Sequence, residues 1–205
     1  MIHPTRTNLL ILKEKSRSVA NSIGILKARR QALVREFLAT TLPFLQGRQI
    51  VRDRYGQALL ELALAARIEG EEFLEALEDT TARRLEVEII EKSLMGLRYR
   101  DVSFKGKAVR EINERGYDIR NTTPHGEEAF FLFETIIEEM AKLAAFESKL
   151  KRLGEEIVRV TRRTRVLEER ILPDLRGRIR SIVQYLGERE REDYYRLKRF
   201  KTCRS

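Results

Sequence analysis

The sequence predicts a mainly α-helical protein: two very long helices in an antiparallel left-handed coiled coil, with a small β-hairpin-containing head in the middle of the chain. Three observations predict it. Apolar residues recur at alternating three- and four-residue steps in two distant stretches. Breakers are sparse, with only Pro4, Pro43, Pro124 and Pro173 among 205 residues. Charged residues make up 36% of the chain, against about a quarter in an ordinary globule, which suits helices that bury one thin stripe and expose the rest.

The first stripe is Leu9, Leu12, Ser16, Val19, Ile23, Leu26, Arg30, Leu33 and Phe37. Seven of these nine are apolar, where the 42% apolar composition alone would supply about four. The second is Leu143, Phe146, Leu150, Leu153, Ile157, Val160, Thr164, Leu167 and Ile171, apolar at eight of nine. Such spacing held over four heptads is the signature of a left-handed coiled coil. Neither helix can cover its stripe alone, and a hairpin brings the two seams together with both termini at one tip.

Residues 1–78 therefore read as the amino-terminal coiled-coil helix, with Pro43 expected to kink or split it. Residues 124–205 read as the carboxyl-terminal helix. Pro124 suits its first turn, and Glu127 and Glu128 face the positive end of its dipole. Near Pro173 the spacing becomes Leu167, Ile171, Leu175, Ile179, a stutter that predicts a local change of supercoil. Residues 79–123 lack a sustained helical period and are punctuated by Gly96, Gly106 and Gly116. Leu85, Val87 and Ile89 alternate, as do Leu97 and Tyr99. The phase then switches to Val102 and Phe104, so the pattern predicts two strands with a bulge near Arg100-Asp101. A short helix over 82–92 is the alternative. So small a head must lean on the coiled coil or on a partner.

Charge is unevenly spread. Residues 1–54 carry a net +8 and 161–205 a net +7, while 55–160 carry −6. The antiparallel arrangement would put the two basic segments side by side, as a positive tip drawn to an acidic cavity or to nucleic acid. Against nucleic acid stand Glu188, Glu190, Glu192 and Asp193, interleaved with the bases.

Little in the sequence points to chemistry. There is no phosphate-binding Gly-x-x-x-x-Gly-Lys-Ser/Thr loop. His3 and His125 fall near opposite ends of the expected rod, so no shared metal site is expected, and Cys203 is the only cysteine. No apolar run approaches a membrane span. No cofactor and no catalytic residue is assigned.

Two stretches do carry a resemblance. Residues 4–37 contain Pro4-Thr5-Arg6 followed by Asn8-Leu9-Leu10, then Lys27 to Phe37. Residues 154–201 contain Thr161-Arg162-Arg163, the Ile171-Leu172-Pro173 step and EREREDYYRLK from Glu188 to Lys198. Together they resemble the central-stalk D subunit of the rotary V/A-type ATPases. The resemblance implies a non-catalytic central rotor shaft. Its tip would sit in the hexamer of A and B subunits, with the F subunit of the central stalk and a socket subunit joining it to the membrane ring. It would be cytoplasmic and peripheral to the membrane, coupling ATP hydrolysis or synthesis to proton or sodium transport. Residues assigned to the hexamer bearing are Arg6, Arg29, Arg30, Arg189, Arg191, Arg196 and Lys198. The alternative is a basic coiled-coil nucleic-acid-binding or scaffold protein.

Overall fold

The computed structural model describes residues 4–111, 114–117 and 122–202, with the side chains of 78–80 and 200–202 set aside. Its elements are α1 (Arg6–Glu69), α2 (Glu71–Thr81), β1 (Val87–Leu94), β2 (Leu97–Phe104), α3 (Pro124–Val166), a π turn (Leu167–Ile171) and α4 (Leu172–Thr202). Residue contacts divide the chain into two units. One is Met1–Val34 with Glu156–Ser205, and the other is Arg35–Glu155.

In the first unit the amino-terminal part of α1 lies antiparallel to the carboxyl-terminal helix. Arg6 pairs with Glu190 at 2.5 Å, Lys27 with Glu168, and Arg29 with Glu156 at 3.1 Å. The residues fall along one helix as they rise along the other. Leu12, Ile23, Leu33, Val160 and Ile182 are buried between them, at the three- and four-residue steps that keep one face turned inward.

The second unit repeats the arrangement with a different filling. Glu36 meets Lys149 at 2.7 Å, Arg54 meets Glu139, and Glu61 meets His125 at 2.6 Å. Tyr55 stands edge-on to Phe133 with ring centres 6.2 Å apart. A Cβ added at Gly47 would lie 2.9 Å from Leu143 Cδ2, so the helices come close where one residue has no side chain. The covered positions of α1 continue through Thr40, Phe44, Gly47, Val51, Arg54 and Ala58 to Ala65. The inward face therefore continues beyond Phe37, with Phe44 and Val51 now interspersed among small residues and a paired arginine.

Pro43 does not split α1, which runs unbroken from Arg6 to Glu69. The ring sits on the exposed face, where water can take up the carbonyl left without its donor. The break comes later, at Gly70, whose φ of 89° lies in the region that favours glycine. The first helix thus ends short of the expected residue 78, and α2 begins as a separate element.

β1 and β2 form an antiparallel two-stranded sheet, closed by Met95 and Gly96. Both turn residues have positive φ, 52° and 79°, the pattern of a two-residue type I′ hairpin. The expected bulge at Arg100-Asp101 is absent. Pairing is unbroken from Val87↔Phe104 through Ile90↔Asp101 and Glu91↔Arg100 to Leu94↔Leu97. The phase switch has another cause: the first half of β2 alternates between covered and exposed, whereas Asp101 to Phe104 are all half-buried. Val102 and Phe104 line a groove of about 530 Å³ with Ala108, Glu138, Ala141 and Lys142, so an apolar side chain on that face is also covered.

Candidate functional site

The start of α1 and the last described turns of α4 form the first candidate surface. Arg6, in the first turn of α1, already reaches Glu190, so α4 continues past the start of its partner helix. Every residue from Glu188 to Arg199 is exposed, including Tyr194 at 76%, Tyr195 at 71% and Leu197 at 62%. Isolated helical turns are marginal in water, and large aromatic side chains laid bare beside arginines are the residue types that anchor protein interfaces. The surface is basic and amphipathic, and its open helical form offers no enclosed site for a reaction.

The seven basic residues singled out in the sequence fall into two groups. Arg6 meets Glu190, which Arg189 and Arg191 flank in sequence, with Arg196 and Lys198 further along α4; all five are exposed. Arg29 and Arg30 lie over twenty residues further along α1, about 35 Å at 1.5 Å per residue. Arg29 is committed to Glu156, a buried carboxylate that also takes Arg159 at 3.1 Å. Arg30 is half-buried, on the inward face. Charge alone does not distinguish a cation held by its own fold from one offered to a partner.

Ile171 also departs from its expected seam place. It is 39% exposed, and Leu172 is the covered residue. The π turn over Leu167–Ile171 inserts one residue between the successive inward positions Leu167 and Leu172, closing with an N–H of Leu172 donated to the carbonyl of Leu167.

The second candidate surface is the head, held to α3 by polar contacts. The Arg100 N–H donates to Ser148 Oγ at 3.4 Å, and the Lys149 ammonium stands 5.9 Å from the Tyr99 ring centre. Within the hairpin Lys92 pairs with Asp101. That hydrogen bond holds the lysine above and the carboxylate below their ordinary pKa values. Between β2 and α3, Arg110 binds Glu134 through Nε at 2.5 Å and through its backbone N–H at 2.8 Å, and reaches the Thr81 carbonyl at 3.0 Å. Arg115, only 3% exposed, pairs with Glu127 in the first turn of α3. Burial first, then the Glu127 carboxylate, pushes the Tyr117 hydroxyl up to about 12. These arginines carry no sequence signal beyond lying in a loop.

The second unit also leaves apolar side chains open. Leu38, Leu42 and Leu45 on α1 are each more than half exposed, as are Ile89 on β1 and Met140 on α3, with Val87, two residues before Ile89 on β1, at 50%. Leu38, Leu42 and Leu45 stand at helical spacing on a face apart from the inward one. Among the described residues no group of three or more His, Cys, Asp or Glu side chains is placed to hold a metal, and no helix is long and apolar enough to cross a membrane.

Comparison with known proteins places the chain in a family. The family model for the ATP synthase D subunit matches residues 8–202. The A-type ATP synthase D subunit of Pyrococcus furiosus is 33% identical over 201 residues, covering 98% of this chain and 94% of its own. That of Methanoregula boonei is 30% identical over 201 residues, covering 98% and 96%. The V-type ATP synthase D subunit of Thermus thermophilus is 32% identical over 205 residues, covering 98% and 87%. The chain belongs to the ATP synthase D-subunit family, the non-catalytic central-stalk subunit of the A- and V-type ATP synthases.

Proposed function

We propose that this chain is the turning shaft of its complex, with the exposed end of α4 as the part that works inside the ring of A and B subunits. The observation that carries the proposal is the overhang: residues 188–199 are exposed on all sides, basic and aromatic together, around and beyond the point where Arg6 meets Glu190. A shaft end must touch its bearing without locking to one position. Arginine and lysine give diffuse attraction over a range of angles, and the flat rings of Tyr194 and Tyr195 supply area without a matching pocket. A helix pair with one longer member is also not circular in section. As it turns it presents different faces to successive catalytic subunits and favours a different conformation in each.

The second unit would carry the contacts that do not slip. Its open leucines on α1 and the apolar face of β1 suit the small F subunit of the stalk, and the polar head suits the socket above the membrane ring. Through that ring the chain would couple ATP hydrolysis or synthesis to proton or sodium movement, as a cytoplasmic subunit peripheral to the membrane.

Truncation after Glu190 tests the division of labour. The shortened chain should still bind the F subunit while the complex loses coupling between ATP hydrolysis and ion transport. Full coupling in the truncated complex would refute the role given to the overhang.

A further inference from the structure

The π turn is encoded by the residues that follow it. Continuing the inward face from Thr164 and Leu167 in unbroken α-helix would turn Ile171, Asp174, Arg178, Ser181 and Tyr185 inward. All five are exposed instead. The covered residues are Leu172, Leu175, Ile179, Ile182 and Leu186, which is the same three- and four-residue rhythm displaced by one position. A single extra residue, housed in the π turn, joins two apolar patterns that are out of phase.

The insertion also weakens the helix at one point. The Leu172 N–H reaches back five residues to Leu167 rather than four, and Pro173, directly after it, offers no N–H at all. On either side the helix is held by buried side chains, Val160 and Thr164 before the turn and Ile182 after it. Across the turn itself no residue is fully buried: Leu167 and Leu172 are only half-covered, and Lys27 pairs with Glu168 in a half-exposed contact, a weak restraint in water. Twist applied to a helix gathers where the ladder is thinnest and the packing least.

We propose that Leu167–Ile171 with Pro173 is the torsional joint of this chain, a fixed place where the carboxyl-terminal helix winds and unwinds while the apolar faces on both sides stay covered. The proposal rests on the chain turning under load. Its two measurements separate the joint from that reading.

The decisive variant deletes Glu169 and carries Pro173→Ala. After the deletion, Leu167, Leu172, Leu175, Ile179, Ile182 and Leu186 fall into one unbroken three- and four-residue series, so this shortened chain should fold and melt no lower than the parent. Deleting Glu155 instead, where no π turn compensates, should lower the melting temperature clearly. Pro173→Ala alone keeps the inserted residue and should keep the π turn. In the full chain, amide hydrogen exchange over residues 171–176 should be faster than in the flanking turns. In the Glu169 deletion it should slow by roughly 5–30-fold, the factor for one or two regained hydrogen bonds. In the assembled, stalled complex, a probe on the shaft should show a narrower spread of angles with the variant than with the parent. Unchanged exchange, or a melting temperature as low as that of the Glu155 deletion, would overturn the joint. Slowed exchange with an unchanged angular spread would overturn its part in the compliance of the shaft.

Discussion

Replacing Leu33 with alanine removes the most enclosed large side chain on α1, and the structure sets the size of the loss. Leu33 has no exposed surface. Three side-chain carbons at about 0.8 kcal/mol each give roughly 2.4 kcal/mol of lost transfer energy. The cavity left in a packed seam raises the total to about 3–4 kcal/mol. A chain of this length shifts its melting temperature by about 2–4 °C per kcal/mol, so the midpoint should fall by roughly 6–16 °C. Leu38 provides the internal comparison. It lies on the same helix but is 59% exposed, and Leu38→Ala should change stability by no more than about 0.5 kcal/mol. Thermal unfolding of the two variants, followed by far-ultraviolet circular dichroism, reads both. A Leu33→Ala midpoint within about 2 °C of the parent, or equal losses in the two variants, would refute the inward-facing seam.

Further substitutions probe the other elements. Leu172→Asp should cost about 3 kcal/mol or more by placing a carboxylate on the inward face, while Ile171→Asp should cost under about 1 kcal/mol; chemical denaturation compares them, and the reverse order would contradict the π-turn phase. Arg115→Leu should lose about 3–5 kcal/mol by leaving Glu127 without its partner, whereas Arg115→Leu with Glu127→Leu should recover most of that loss. The Tyr117 hydroxyl is raised from 10.0 to about 12, so the folded state favours its neutral form. The stability this contributes is present below pH 10 and is lost as pH rises through about 12. In Tyr117→Phe the decline in stability across that window should be shallower. Met95→Asn puts a residue suited to left-handed backbone at φ 52° and should stabilise the chain by up to about 1 kcal/mol, visible as a raised midpoint.

Periodicity makes the paired helices legible because burying one stripe of a long helix leaves a plain mark in the sequence. That mark fades where the buried residues are not large and apolar. Past Phe37 the inward face of α1 keeps Phe44 and Val51 but alternates them with Thr40, Gly47, Arg54, Ala58 and Ala65, small side chains and a paired arginine that break up any count of large hydrophobic residues. The stutter near Pro173 is visible in the sequence, but its form is not. Taking Ile171 as the inward residue keeps a four-residue step, whereas the backbone takes a five-residue step to Leu172. The apparent bulge in β2 has a similar origin, since alternation marks a strand covered on one face and Asp101 to Phe104 are half-covered throughout. Pro43 and Gly70 show how local rules compete. A proline on an open face interrupts one hydrogen bond, while a glycine with positive φ turns the chain. The proposed bearing surface is only partly legible, because Arg29 and Arg6 look alike in sequence and each pairs with a glutamate of the opposite helix; they differ in that Glu156 is buried whereas Glu190 is exposed.

A shaft of the kind proposed turns relative to the catalytic subunits, and that rotation can be watched. The A and B hexamer would be fixed to a surface and a probe attached to the head of this chain, within residues 87–104. On addition of ATP the probe should rotate in one direction, and that rotation should lose its coupling to ion transport when α4 is cut after Glu190. Steady ATP hydrolysis by an intact complex in which the probe holds a fixed angle to the A and B subunits would contradict it.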